Sequence, residues 1–109
     1  MKVIRMHPPA GDAVTQAFAS VEAKGDVRLE IGMAQLRAGQ RVPLEGTSRH
    51  RGTEVSYVLS GLVEVVNEEG TRRISTGDLV IVPGGEWHYS SVIEEATLVY
   101  AFLEDGTCV

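Results

Sequence analysis

The clearest signal in the chain is the alternation of apolar and polar residues in short segments. After a turn at residues 24–26, Val27, Leu29, Ile31 and Met33 alternate with polar or small residues, which is the period-two spacing of a half-buried strand. Later apolar segments are each bounded by turn-forming residues: they span positions 55–59, 62–66, 71–74, 79–82, 87–93 and 96–103. Turns at spacings of about ten residues favour an all-β sandwich or barrel over alternating β and α units.

Four other segments add detail to this pattern. Residues 1–6 alternate loosely and are predicted to form an edge strand. Residues 12–23 fit either a short helix capped by Asp12 or an irregular strand. The alternation slips at positions 34–36, which predicts a β-bulge or a bend between sheets. Positions 67–70 predict a hairpin turn, because they end in a glycine that is able to adopt positive φ.

Composition and charge restrict the class of protein. The 109 residues suffice for one domain with one core, so the chain is predicted to be a single domain spanning residues 1–109. The formal charge of −5 disfavours nucleic acid or an anionic membrane surface as the main partner, because such binding depends on concentrated Lys and Arg. No apolar run approaches the roughly 20 residues of a membrane helix, and the N-terminus lacks the apolar core of a signal peptide. We therefore expect a cytoplasmic protein without a nucleic-acid or membrane partner.

Two polar turns, each joined to an apolar strand, carry the candidate chemistry. The first, at positions 46–61, contains His50 and Glu54, and the second, at positions 77–88, ends at His88. Two imidazoles and a carboxylate are the ligand set of a divalent metal site. The structural alternatives are that His88 caps a turn and that Glu54 is a solvated residue at a strand edge. The residues alone leave both interpretations open.

Aromatic and basic residues near these turns offer contacts to an organic ligand. Four aromatic residues on predicted strands either line the barrel mouth or belong to the core: Tyr57, Trp87, Tyr89 and Tyr100. Four arginines either hold a carboxylate or phosphate of a substrate or form a solvated loop face: Arg37, Arg41, Arg49 and Arg51. Arg49 and Arg51 flank His50, and their charges would weaken metal binding if they faced the site.

The two segments resemble the paired motifs of the cupin superfamily. The first motif falls at about residues 39–61, and three of its residues recur here at the motif's spacing: His50, Glu54 and Gly61. The second falls at about residues 77–92, where a turn, a proline and a histidine coincide: Gly77, Pro83, Gly85 and His88. Fifteen residues separate the two matched segments, which is the short spacing of compact microbial cupins. Two positions depart from the motifs, since Ser48 replaces the first histidine of H-x-H and Val92 replaces the closing asparagine.

The resemblance implies an all-β double-stranded β-helix, the RmlC-like jelly-roll barrel of cupins. Cupins bind a metal inside this barrel through the motif histidines and glutamate, which implies His50, Glu54 and His88 as the metal ligands here. The implied ion is iron, manganese, nickel, copper or zinc. Ser48 supplies no imidazole, so the resemblance gives it only a place beside the site.

Two classes of function follow from this resemblance. The first is a metal-dependent enzyme, dioxygenase-like or related, that acts on a small polar organic molecule in the barrel. The alternative is a non-enzymatic small-molecule binding or sensor module, in which metal is weak or absent because Ser48 replaces a histidine. A metal-free sugar isomerase or epimerase is disfavoured, since spacing alone reveals no Tyr-His-Asp constellation. Exposed edge strands and the length of the chain predict a homodimer.

Overall fold

The structure, a computed structural model, describes residues 1–23 and 27–105. Its strands are β1 (Thr15–Ala23), β2 (Val27–Leu36), β3 (Arg41–Val42), β4 (Ser48–Arg49), β5 (Thr53–Asn67), β6 (Gly70–Ser75), β7 (Leu79–Val82) and β8 (Trp87–Asp105). The predicted turn at residues 24–26 lies outside the described residues. Within the two described ranges there is no helix long and apolar enough to cross a membrane.

Two long strands, β5 and β8, run through both layers of the fold. The sheet order is β1-β2-β8-β5-β6, with β3 and β4 also paired to β8 and β7 paired to β5. The first half of β5 pairs with the C-terminal half of β8, and its second half pairs with the N-terminal half of β8. Because both strands bend at the same level, one antiparallel sheet folds over itself as a jelly-roll barrel. The predicted all-β double-stranded β-helix is therefore confirmed.

The bend in β5 is centred on Gly61. Its φ is 99°, a conformation that residues with a side chain rarely adopt. A Cβ at this position would overlap the carbonyl oxygen of Glu95 and the Cα of Ala96 on the neighbouring strand. The two long strands therefore approach each other at the bend more closely than any side chain at position 61 would permit.

The bend also reverses which residues of β5 face inwards. The pairing register between β5 and β8 shifts between Val58 and Val63, as it does where a strand carries a β-bulge. Glu54 and Ser56 line the barrel interior before the bend, whereas Val63 and Val65 line it afterwards. The sequence break at Ser60-Gly61 thus marks a bulge inside one continuous strand, and not the boundary between two strands.

Strand β2 is apolar on both of its faces. Ala34 and Leu36 lie in the buried core, in one cluster with the fully buried Val58 and Val63. Side chains alternate between the faces of a strand, so the odd-numbered residues at 27–33 lie on the outer side of the sheet. Apolar residues of β2 lie on the outer face up to position 33 and on the inner face at positions 34 and 36. This change of face explains the apparent slip in alternation at positions 34–36. The β-bulge predicted there is wrong, because β2 pairs with β8 without any shift in register.

The structure of the N-terminal part of the chain contradicts the prediction for residues 1–6 and decides between the two predictions for residues 12–23. Residues 1–6 form no strand, so the predicted edge strand is wrong. Pro8 and Pro9 lack the backbone N–H that pairing requires, and they interrupt the chain before β1. The irregular-strand interpretation of residues 12–23 is confirmed, since the pairing of β1 with β2 shifts between Ala17 and Ala19.

An apolar face covers the outer side of β2, β8, β5 and β7. We define the outer face by residues that share one side of these paired strands: Leu29, Ile31, Val55, Tyr57, Leu79, Ile81, Val99, Ala101 and Leu103. Leu79 and Ile81 are 61% and 60% exposed. None of these positions carries a charge, so two copies are able to pack this face together without like charges opposing each other. We propose that the predicted homodimer forms through the outer face.

Replacing Gly61 by alanine is expected to destabilise the barrel by more than about 3 kcal/mol, because the substitution combines an unfavourable φ with overlap against β8. Gly77→Ala is the matched control, since Gly77 has a φ of 92° and a Cβ added there would meet no heavy atom within 4 Å. It should cost only the conformational term, about 1–2 kcal/mol. Thermal unfolding followed by circular dichroism separates the two, and equal losses of Tm would contradict close packing at the bend.

The Leu79→Glu, Ile81→Glu double variant is expected to convert a dimer into a monomer, because two carboxylates would be buried opposite their copies. Sedimentation equilibrium at micromolar concentration gives the mass directly. Thr71→Glu with Ser75→Glu introduces the same charge at exposed positions of β6 and should leave the dimer intact. A wild-type monomer in this experiment would refute the interface and the dimer together.

Candidate functional site

A cavity of about 210 Å³ lies inside the barrel. Its walls are mostly apolar and come from both layers of the sheet. The polar residues that line it are Thr15, Ser48, His50, Glu54, Ser56, His88, Ser90 and Tyr100. All three residues that the sequence suggested as metal ligands are therefore on the wall of one cavity.

The imidazole rings of His50 and His88 lie close together on the wall of this cavity. Their ring centroids are 5.7 Å apart. His88 is the second residue of β8 and lies opposite Ser48 in the pairing of β4 with β8. Its Nδ1 atom is buried and has no hydrogen-bond partner among the residues that the structure describes. Such an orphaned nitrogen costs about 1–3 kcal/mol when it stays unsatisfied, and it is available to bind a metal ion or to form a hydrogen bond with a ligand.

A close backbone contact brings His50 to His88. The N–H of Gly85 donates a hydrogen bond to the carbonyl oxygen of His50 over 2.8 Å. A Cβ at Gly84 would overlap the carbonyl oxygen of Arg51. The turn at positions 83–85 therefore packs backbone to backbone against the loop that carries His50. This contact explains why the turn contains two glycines.

Glu54 lies close to Tyr100 within the cavity. It is the second residue of β5 and is paired with Phe102 of β8. Burial raises the pKa of the Tyr100 phenol above its ordinary value, and the carboxylates of Glu30 and Glu54 raise it further, while a hydrogen bond with Thr15 opposes the shift. Tyr100 therefore stays neutral at physiological pH and remains a hydrogen-bond donor.

The donors do not form a compact ligand cluster. In the part of the chain that the structure describes, no three His, Cys, Asp or Glu side chains lie close enough together to hold a metal ion. His50, Glu54 and His88 thus share a cavity without being assembled into a three-ligand site. The chemistry of the donors nevertheless fits a metal, since two imidazoles and a carboxylate are accessible from one space and the His88 Nδ1 has no partner.

Comparison with known proteins identifies the family. The family model described as "Cupin domain" matches residues 32–103. The chain belongs to the cupin family. No match was found among curated protein sequences.

Solved structures of several other proteins share this fold. A conserved protein of unknown function from Streptococcus pyogenes is 20% identical, with a TM-score of 0.69 over 94% of this chain and 87% of its own. A cupin superfamily protein from Desulfitobacterium hafniense is 13% identical, with a TM-score of 0.68 over 89% and 84%. An RmlC-like cupin from Shewanella frigidimarina is 19% identical, with a TM-score of 0.61 over 84% and 88%. At these identities the likeness extends to the fold and not to the chemistry.

Of the aromatic residues considered from the sequence, only Tyr100 lines the cavity of this cupin. Tyr57 lies on the outer face, and Tyr89 packs under the guanidinium of Arg41, which is 4.1 Å from its ring centroid. Neither these two residues nor Trp87 reaches the cavity, because odd-numbered side chains of β8 and of the first half of β5 point outwards.

Several cavity residues were missed by the sequence analysis. They are Thr15, Ser56, Ser90 and Phe102. The residues of β8 that line the cavity are all even-numbered. Alternation counted from His88 would therefore have found Ser90 and Phe102. Thr15 lies on β1, far from both motifs in sequence, and no local pattern connects it to the cavity.

The position of Tyr100 also depends on a glycine. Gly32 lies opposite Tyr100 in the pairing of β2 with β8. A Cβ at Gly32 would lie 2.5 Å from the Tyr100 hydroxyl. The absence of a side chain at position 32 therefore gives the phenol the space it occupies.

The raised pKa of Tyr100 predicts a loss of stability at alkaline pH. As pH rises above the ordinary tyrosine value, the unfolded chain releases the phenol proton first, so the contribution of Tyr100 is lost as pH rises through its raised folded pKa. Between about pH 9 and pH 11, urea unfolding should show a steeper loss for wild type than for Tyr100→Phe. Equal slopes for wild type and Tyr100→Phe would contradict the expected shift.

Proposed function

We propose that this cupin binds a divalent transition metal in its cavity through His50 and His88, with Glu54 as the third ligand. We further propose that it is a metal-dependent enzyme, dioxygenase-like or related, acting on a small polar organic molecule. The observation that carries the proposal is the buried Nδ1 of His88, which has no hydrogen-bond partner within residues 1–23 and 27–105. His88 shares its cavity with a second imidazole, that of His50. A bond to a metal would satisfy this nitrogen.

The donor set is compatible with each of the five implied ions. Imidazole suits zinc, copper, iron and nickel, while a carboxylate adds affinity for manganese and iron. Two histidines and one carboxylate leave coordination positions open, which is the ligand class of non-haem iron(II) oxygenases. Because the three side chains are not clustered in the structure, the proposal requires them to move closer together when the ion binds.

The cavity walls suit a small substrate. Drug-sized ligands occupy pockets of about 300–1,000 Å³, so a cavity of about 210 Å³ takes a smaller molecule. A bound divalent metal would act as a Lewis acid towards an oxygen atom of that molecule. Tyr100 would donate a hydrogen bond from its neutral phenol, and Glu54 would accept one. The apolar walls exclude water and thereby strengthen these polar contacts.

A second candidate function is a binding or sensor module without catalysis. Two observations favour it: no three-residue ligand group is assembled among the described residues, and Ser48 occupies the place of the first motif histidine, directly opposite His88. An apolar pocket with a few polar groups is the usual form of a small-molecule binding site. On this alternative, the His88 nitrogen would be satisfied by a polar atom of the ligand.

Metal content tests the first proposal. Protein purified without chelators or an affinity tag, then reloaded with each candidate ion, should retain about one ion per chain by mass spectrometry. His50→Ala and His88→Ala should each lose nearly all of it, because a single remaining imidazole and a carboxylate bind weakly. His7→Ala is the control, since His7 contacts Phe18 and does not line the cavity. Circular dichroism verifies that each variant is folded.

Two results would contradict the metal site. Wild-type protein without metal after reloading would exclude it, and binding of small molecules by the folded metal-free protein would then favour the module. Metal that persists in both histidine variants would place the ion elsewhere. For the enzyme in particular, turnover that survives complete chelation would exclude metal dependence.

A further inference from the structure

A second pocket, of about 380 Å³, adjoins the cavity at His50. His50 and Phe102 line both spaces, and their ring centroids are 5.0 Å apart. These two rings therefore lie at the boundary between the cavity and the second pocket. We call this space the outer pocket, and its remaining lining residues are Arg28, Glu30, Arg49, Arg51, Gly52 and Glu104.

The outer pocket continues the inner face of the barrel. On β2, Arg28 and Glu30 have the same parity as Gly32, which underlies Tyr100. On β8, Glu104 has the same parity as Phe102 of the cavity wall. Side chains of one parity lie on one face of a strand. The apolar cavity is therefore followed, along the same sheet face, by a charged space beyond His50 and Phe102.

Cations predominate in the outer pocket although the chain is acidic. The chain has a formal charge of −5, yet three of its ten basic residues line this one space. Arg28 forms an ion pair with Glu104 over 3.1 Å. Among the described side chains, Arg49 and Arg51 form no ion pair and no hydrogen bond. Glu30 is the one carboxylate of the pocket without a cationic partner among those side chains.

The backbone that carries the two unpaired arginines is held in place. The carbonyl of His50, between them, accepts the hydrogen bond from Gly85. Gly52 is buried, and a Cβ there would overlap the carbonyl oxygen of Leu103 on β8. The arginines therefore extend from a loop fixed at two points, which reduces the entropy that ligand binding must overcome.

We propose that the outer pocket binds the carboxylate or phosphate group of a small organic ligand whose remainder enters the cavity past His50. Guanidinium groups present paired N–H donors that match the oxygens of both anions, and Arg49 and Arg51 have donors free for this contact. The carboxylate of Glu30 repels the negative charge of a bound anion, so the pocket favours an anion with a single charge. The inference deepens the proposed function, since it rests on the cavity being the ligand site, but it does not require a metal.

Titration of ¹⁵N-labelled, metal-free protein with inorganic phosphate and, separately, with acetate tests this site at constant ionic strength. Saturable changes in amide shift are expected at residues 28–30, 49–52 and 102–104. The Arg49→Gln, Arg51→Gln double variant should bind at least about tenfold more weakly, as expected for the loss of charge-assisted hydrogen bonds. Tighter binding of phosphate or of acetate identifies which anion the ligand carries.

The matched control removes two arginines elsewhere. Arg72→Gln with Arg73→Gln makes the same change in net charge at exposed positions of β6 and should alter affinity less than about twofold. Equal weakening by both double variants would overturn the proposal, because it would reveal only the effect of net charge. Absence of saturable shifts with either anion would also overturn it. Since the protein is metal-free throughout, failure here is independent of the test of metal content.

Discussion

The close approach of β5 and β8 at Gly61 is the constraint on which the barrel depends. Without a side chain at this position, the two longest strands bend together and pass from one layer to the other. The accompanying bulge changes the parity of β5 but not that of β8. Glu54 from one half of β5 and Val65 from the other can consequently line a single interior.

The second constraint is the backbone contact between the turn at positions 83–85 and the His50 loop. Strand pairing alone would place His88 on the cavity wall, but His50 lies in a loop and has no strand to position it. The hydrogen bond from Gly85 and the close packing of the backbone of Arg51 against Gly84 fix that loop. The two motifs are therefore one structural unit, in which the second supplies the surface against which the first is ordered.

The lining residues become more polar from the cavity to the outer pocket. The cavity holds few polar groups in apolar walls, whereas the space beyond His50 and Phe102 is lined by guanidinium and carboxylate groups. Arg49 and Arg51 line the outer pocket and do not line the cavity. Their charges therefore do not face the proposed metal site inside the cavity. A ligand with one anionic end and a less polar remainder matches this gradient.

The sequence by itself determined most of the strands and turns, because alternation and turn chemistry are local properties, although residues 1–6 form no strand and residues 53–67 form one strand instead of two. The resemblance to the cupin motifs, and not the local pattern, implied that His50, Glu54 and His88 share the barrel interior. Only the tertiary structure decided which face of β2 is inside, since period two specifies alternate faces but not the one that is buried. The alternating residues at 27–33 lie on the outer side of the sheet, although Met33 among them is buried. The lack of a compact three-ligand group among the described residues and the place of Thr15 in the same cavity as Tyr100 were likewise beyond the sequence. These features depend on pairings between strands that are distant in the chain, and no local pattern encodes such distances.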